Sequence, residues 1–183
     1  LCFNCAKFVD SQFALAAGRV NAIAKAVSCM KTGEYAVNPE GILSAVTGKT
    51  RLIWICTPNN PTGTAIPAAT IRQIARSVAI PVVVDNALGD FSEESVASLI
   101  DEQNVILLRT FSKGYCMAGL RIGYAIANNV FIKRIEEVKQ IFNVNSLAVE
   151  AACAALDDKD YYTALWKKFI IERQRVCQAI SAL

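Results

Sequence analysis

Histidine is absent from this 183-residue chain, and of its seven cysteines only Cys2 and Cys5 stand in a C-x-x-C spacing. A structural zinc site takes four nitrogen or sulfur ligands. Without an imidazole or a second thiol pair that set is hard to assemble, so Cys2 and Cys5 read as ordinary thiols. Cys29, Cys56, Cys116, Cys153 and Cys177 stand mostly in apolar stretches, where free cysteine behaves as a small hydrophobe. The odd, scattered set suits a reducing, cytoplasmic setting. Long hydrophobic runs are missing too. No uninterrupted apolar stretch reaches the ~18 residues that cross a bilayer, so no membrane partner is expected and the protein reads as soluble. Charge of one sign is scarce: the net charge is +3 with no basic block, and no nucleic-acid partner is expected. The chain opens on Leu1 with no basic segment ahead of an apolar one, so no signal peptide is read there, and the sequence is taken for a piece of something longer. Two nucleotide-binding patterns also fail. Gly48-Lys49-Thr50 ends like a P-loop, but Leu43 stands where the first glycine is needed, and a strand pattern follows where a helix is required. No G-x-G-x-x-G follows a strand, which removes the main support for a nicotinamide-binding fold.

What is present is apolar sequence in alternating patterns. Hydrophobic residues make up 54% of the chain, enough for one domain with a sizeable core. Strands are expected over residues 26–29, 52–56, 81–85, 105–108 and 122–127. Asn38-Pro39-Glu40 opens a helix, with a capping side chain, a proline at the first helical position and an acid near the positive end, and that helix is expected to end near Gly48. Further helices are expected from Pro67 to about residue 79, over 95–100, after caps at Asn128 and Ser146, and from about Tyr161 to the end. Strand–helix alternation at this spacing predicts an α/β domain with a mostly parallel sheet, helices covering both faces. Ligands of such sheets bind beyond the carboxyl ends of the strands. The loops after Cys56, Val84 and Leu108 are therefore where chemistry is expected.

The first of these loops, Thr57-Pro58-Asn59-Asn60-Pro61-Thr62-Gly63, is stiffened by two prolines and offers two adjacent asparagines as hydrogen-bond donors. The second begins with Asp85, a carboxylate after a buried run. It is costly there unless paired, either with backbone amides or with a cationic ligand group. The third, Arg109-Thr110-Phe111-Ser112-Lys113-Gly114, carries two hydroxyls and a lysine, a set able to hold a phosphate and to offer an amine. Gly119-Leu120-Arg121-Ile122-Gly123 follows, with an arginine suited either to phosphate or to a surface acid.

Taken together and in this order, residues 58–63, 83–85, 108–113 and 118–124 resemble the fold-type I, pyridoxal-phosphate-dependent aminotransferases of class I and II. They are most similar to the histidinol-phosphate aminotransferase subgroup, which Phe142-Asn143-Val144-Asn145-Ser146-Leu147-Ala148 also resembles. The resemblance implies a three-layer α/β/α large domain, seven-stranded in the family with one antiparallel strand. Residues 1–160 would belong to that cofactor-binding domain, and residues 161–183 would start the helix leading to a smaller C-terminal domain. It implies pyridoxal 5'-phosphate as cofactor, transamination between an amino donor and a 2-oxo acid, histidinol phosphate and 2-oxoglutarate as the pair, and a cytoplasmic homodimer. Lys113 would carry the cofactor and move the substrate's α-proton. Asp85 would pair with the ring nitrogen, and Asn60 would bond the phenolic oxygen. Thr110, Ser112 and Arg121 would hold the phosphate, and Phe13 would stack on the ring or pack in the core.

The sequence departs from the family at Asn86-Ala87-Leu88, where Glu-Ala-Tyr is usual, so Leu88 replaces a tyrosine that bonds the phenolic oxygen. Ser11-Gln12 stands where proline is common. The segments that supply the substrate-carboxylate arginine and the small-residue phosphate loop fall outside the chain. Two other readings share this scaffold: decarboxylation of a phosphorylated amino acid, and an inactive remnant of the fold.

Overall fold

The fold was obtained as a computed structural model; it describes residues 2–4, 11–27, 30–31 and 34–183, with side chains from 15–27 and 36–183. In chain order the elements are β1 (Cys2–Asn4), α1 (Ser11–Arg19), β2 (Lys25–Val27), β3 (Met30–Lys31), β4 (Glu34–Tyr35), α2 (Pro39–Ala45), β5 (Ile53–Cys56), α3 (Ala68–Arg76), β6 (Val82–Asp85), β7 (Val105–Thr110), β8 (Gly123–Ala127), α4 (Asn129–Val138), α5 (Ser146–Asp157) and α6 (Lys159–Ser181). Short 3-10 turns at Gly89–Phe91, Ala97–Asp101 and Ala118–Leu120 complete it.

Six strands form one sheet in the order β2-β1-β5-β6-β7-β8, and β3 and β4 make a separate two-stranded ribbon. The pairings from β2 to β7 are parallel and β7 with β8 is antiparallel. The mostly parallel α/β sheet expected from the alternating pattern is what the chain forms. Crossover helices demand burial on the sheet's faces. Ile53, Ile55, Val82, Val84, Val105 and Leu107 meet Ile42 of α2, Ile71 and Ile74 of α3, and Leu99 in one core cluster. Each such side chain, fully withdrawn from water, contributes about 1.5–3 kcal/mol before chain entropy is charged. The alternate residues Val83 and Ile106 are also buried, so the central strands are covered on both faces.

Several boundaries differ from the sequence expectation. The helix opened by Asn38 does start there, its side chain accepting from the Glu40 amide, but it stops at Ala45. The next residues fold into a turn in which Thr50 Oγ1 accepts from the Thr47 amide and the Thr50 amide donates to the Thr47 carbonyl. A helix is expected over residues 95–100; a five-residue 3-10 turn, Ala97–Asp101, forms there instead. The cap of α5 is Asn145, whose Oδ1 accepts from the Ala148 amide, while Ser146 is already helical. β7 runs two residues past Leu108 because β8 pairs with it through Thr110. β1, α1 and the β3–β4 ribbon carry no strong periodic signal and were not anticipated. Cys116, Cys153 and Cys177 are exposed and Cys56 is half-buried, so the buried apolar setting expected for them does not hold: apolar neighbours in sequence do not by themselves withdraw a side chain from water. The Cys2, Cys5 and Cys29 side chains lie outside the described residues.

Candidate functional site

Cys56 pairs with Asp85 and Asp85 with Leu108, so β5, β6 and β7 end together. β8 runs the other way and begins at that same edge, Gly123 opposite Thr110. The backbone positions of Asn60, Asp85, Thr110, Ser112, Lys113 and Arg121 therefore all lie along one edge of the sheet, although they span residues 60 to 121. That is the carboxyl edge, where parallel sheets hold their ligands.

The two asparagines of the first loop divide their duties. Asn59 is buried and spent on the turn: its Nδ2 donates to Thr62 Oγ1 at 3.0 Å and its amide to the Thr64 carbonyl at 2.8 Å. Asn60 is exposed. Gly63, at φ +70°, supplies the left-handed residue that closes the turn. Asp85 is half-buried and its Oδ1 accepts from the Ala87 amide at 3.2 Å. In the third loop Thr110 Oγ1 accepts from the Ser112 amide at 3.1 Å, which bends the chain out of β7 and presents Lys113 to solvent. The Lys113 amine makes no ion pair or hydrogen bond among the described residues. Arg121 is held at φ 54°, ψ 45°, a left-handed conformation that costs a non-glycine residue of order 1–3 kcal/mol and tends to mark functional positions. Its Nη1 donates to the Ala118 carbonyl at 2.8 Å and not to the hydroxyls of Thr110 or Ser112, so the three are neighbours in the edge without a direct bond. Phe13 is in α1, and its side chain lies outside the described residues.

Alternation along the strands separates two sets of residues. Val82 and Val84 point into the main core, so Asp85 is directed to the opposite face. In β7, Val105 and Leu107 share the core face with Arg109, and Thr110 takes the other. Behind the edge, on the core face, is a group that the sequence did not single out. Arg109 Nη1 donates to Asn86 Oδ1 at 2.6 Å, and its Nη2 is bonded to the Asp90 carboxylate. The Asn86 Nδ2 donates to the Thr57 carbonyl at 2.5 Å. The Asp90 side chain is only 1% exposed, and burial raises its pKa above the ordinary carboxylate value in spite of the opposing pull of Arg109. One of its oxygens, Oδ2, has no hydrogen-bond partner among the described residues. Trp166 of α6 donates its indole N–H to the Gly114 carbonyl at 2.8 Å and packs with Phe111 and Tyr115. A signal for this group was available: an arginine continuing the apolar run of β7 has to find a buried partner.

The residues on the exposed face suit pyridoxal phosphate by their chemistry. A carboxylate at the end of a central strand suits a protonated ring nitrogen, an exposed primary amine suits an aldehyde, and an arginine with two hydroxyls suits a phosphate. Among the described residues no group of three or more histidine, cysteine or acidic side chains could hold a metal ion.

Residues 15–183 match the family described as aminotransferase class I and II. Histidinol-phosphate aminotransferase of Methanosphaera stadtmanae is 35% identical over 151 residues, covering 82% of this chain and 41% of that protein. The counterpart from Staphylococcus saprophyticus is 35% identical over 180 residues, covering 92% of this chain and 51% of that protein. The crystal structure of histidinol-phosphate aminotransferase from Sinorhizobium meliloti in complex with pyridoxal-5'-phosphate superposes with a TM-score of 0.81 at 28% identity, over 96% of this chain and 48% of that one. The chain thus spans about half the length of the curated relatives it matches. With a family match over nearly its whole length, this chain belongs to the aminotransferase class I and II family.

Proposed function

We propose that the full-length protein transfers an amino group from histidinol phosphate to 2-oxoglutarate. The observation that carries the reading is the gathering of a carboxylate, an exposed amine, two hydroxyls and an arginine along the carboxyl edge of β5–β7, where β8 begins. The choice of donor is supported by the 35% identity to relatives that bear the histidinol-phosphate name. Pyridoxal phosphate is the cofactor of this family. When bound it supplies an aldehyde that links to amines and a ring that withdraws electrons from the carbon bearing the nitrogen.

The chain's own residues then have distinct tasks. Lys113 would offer Nζ to the cofactor aldehyde and would move the proton at the substrate's α-carbon. Asp85 holds the proton on the ring nitrogen. Asn60 donates to the phenolic oxygen. Thr110, Ser112 and Arg121 would bind and orient the phosphate, and Phe13 would stack on the ring. In the same reading residues 1–160 belong to the cofactor-binding domain, and α6 leads from it toward a smaller one. Phe169, Ile171, Val176 and Ile180 leave apolar surface on α6, and further chain would cover it. The protein would work as a cytoplasmic homodimer. Among the described residues no helix is long and apolar enough to cross a membrane.

The test uses the full-length enzyme loaded with pyridoxal phosphate. Histidinol phosphate with 2-oxoglutarate should yield glutamate, and Lys113→Ala should lower that rate on the order of 10³-fold, within the range for loss of an acid–base group. Release of carbon dioxide from a phosphorylated amino acid, with no glutamate formed from histidinol phosphate, would replace the reading with decarboxylation.

A further inference from the structure

The buried group behind the edge touches each loop that bears a proposed site residue. Asn86 follows Asp85 directly. Its amide donates to the Leu108 carbonyl at 3.0 Å and its side chain to the Thr57 carbonyl, while the Thr57 amide donates to the Asp85 carbonyl at 2.9 Å. Arg109 precedes Thr110 and spans Asn86 and Asp90 with two different nitrogens, a fork that lysine cannot reproduce. Asp90 in turn lies against Gly114, the neighbour of Lys113. A Cβ on Gly114 would meet Asp90 Cβ and Cγ at 2.6 Å, and one on Gly89 would meet Arg109 Nη1 at 2.6 Å. Both positions need glycine because the network fills the space a methyl group would take.

We propose that the Arg109–Asp90–Asn86 network is a positioning device, a strut that fixes the Asp85 loop and the Lys113 loop relative to each other for the cofactor. This rests on the function proposed above. The chemistry of the group argues for geometry over stability. A buried ion pair is matched or exceeded in stability by apolar packing, yet it tolerates one arrangement of its partners, and here one carboxylate oxygen has no donor among the described residues. An apolar core would serve the fold. It would not lock a strand end to two loops at fixed hydrogen-bond angles. None of the three side chains belongs to the exposed set at the edge: they lie on the other side of the strands, and they act through Asp85, Thr110 and Gly114.

The experiment compares three variants of the full-length protein: Asp90→Asn, Arg109→Lys and Leu99→Ala. Leu99 is fully buried in the main core and has no part in the network, so its truncation reports loss of stability alone. Thermal melting, the dissociation constant for pyridoxal phosphate, and the pH titration of the absorbance of lysine-bound cofactor are measured for each. Asp90→Asn and Arg109→Lys should weaken cofactor binding on the order of tenfold, as loss of outer-layer partners does at metal sites. They should also displace the titration, with Leu99→Ala changing only the melting temperature. Should Asp90→Asn fail to fold, Arg109→Lys carries the comparison, because it keeps the positive charge. If both network variants melt lower but leave affinity and titration at wild-type values, the strut is structural only and the proposal is overturned. Failure of the underlying reading looks different: wild-type protein would then show no lysine-bound cofactor absorbance at all.

Discussion

The two faces of the sheet at its carboxyl edge are built from adjacent residues and follow opposite rules. Asp85 and Asn86 are neighbours, as are Arg109 and Thr110, yet alternation sends one of each pair forward and one back. On the forward face polar groups keep bonding capacity in reserve: Asn60 and Lys113 are exposed, and Arg121 spends one nitrogen on the Ala118 carbonyl. On the rear face Asn86 and Arg109 are committed, and Asp90 is sealed from water. The difference teaches that a site of this kind needs both. Groups left under-bonded can serve a ligand only if the backbone beneath them is over-determined.

Coupling between the faces can be broken most strongly at Gly114. Gly114→Ala drives a methyl into Asp90 on the rear while its neighbour Lys113 stands on the front. A loss of about 1–3 kcal/mol is expected in chemical denaturation, with weaker retention of pyridoxal phosphate. Gly48→Ala, where a Cβ meets open space, is the matched control. Equal behaviour of the two variants would mean the faces are independent. A smaller effect is expected at Leu88, half-buried just before the 3-10 turn that carries Asp90. Leu88→Tyr restores the hydroxyl usual in the resembled family. It should lower the pH midpoint of the lysine-bound cofactor's absorbance by about one unit, equivalent to ~1.4 kcal/mol. An unchanged titration would put residue 88 out of reach of the ring.

The smallest effect belongs to a region away from the edge, where ion pairs meet water. Glu102 accepts from Arg72 Nε at 2.9 Å and from Arg76 at 2.8 and 3.0 Å. Its pKa is lowered below the ordinary 4.5, first by the hydrogen bond from Arg76; burial, next in size, opposes this, and the hydrogen bond from Arg72 and the charges of both arginines add smaller depressions. A depressed carboxylate stabilises the fold above its unfolded pKa, and the contribution disappears as pH falls through the folded value. Glu102→Gln should therefore be slightly less stable than wild type at pH 7, with the gap closing in acid and shrinking in salt. Denaturation curves that stay equally far apart at pH 3 and pH 7 would show that the contribution is not ionic. Asp90, sealed from water, has the opposite sign: its pKa is raised, because burial there outweighs its arginine.

How much of this was legible in the sequence follows from how each feature is encoded. β5 and β6 were readable to within a residue because continuous apolar runs bounded by Pro58 and Pro81 leave little choice. The backbone placement of Asn60, Asp85, Thr110, Ser112 and Lys113 at the edge was readable because each stands at or just after a strand end. Arg109, Asp90, Asn86 and Trp166 were not, since their partners lie 19 to 23 positions apart along the chain for Arg109 and 52 for Trp166 with Gly114. Nor was the division of labour between Asn59 and Asn60, which depends on which amide the turn consumes.

By itself the sequence determined the alternation of strands and helices, and with it a parallel sheet whose carboxyl edge gathers Asn60, Asp85, Lys113 and Arg121. Local pattern suffices there, because an apolar run has to be buried and a turn has to follow it. Only the tertiary structure decided that β8 is the strand that runs antiparallel, that Arg109 turns away from Thr110, and that Gly89 and Gly114 are needed against Asn86, Arg109 and Asp90. Those outcomes depend on which distant groups share a closed space, where each buried charge has to find a partner and each added atom has to find room.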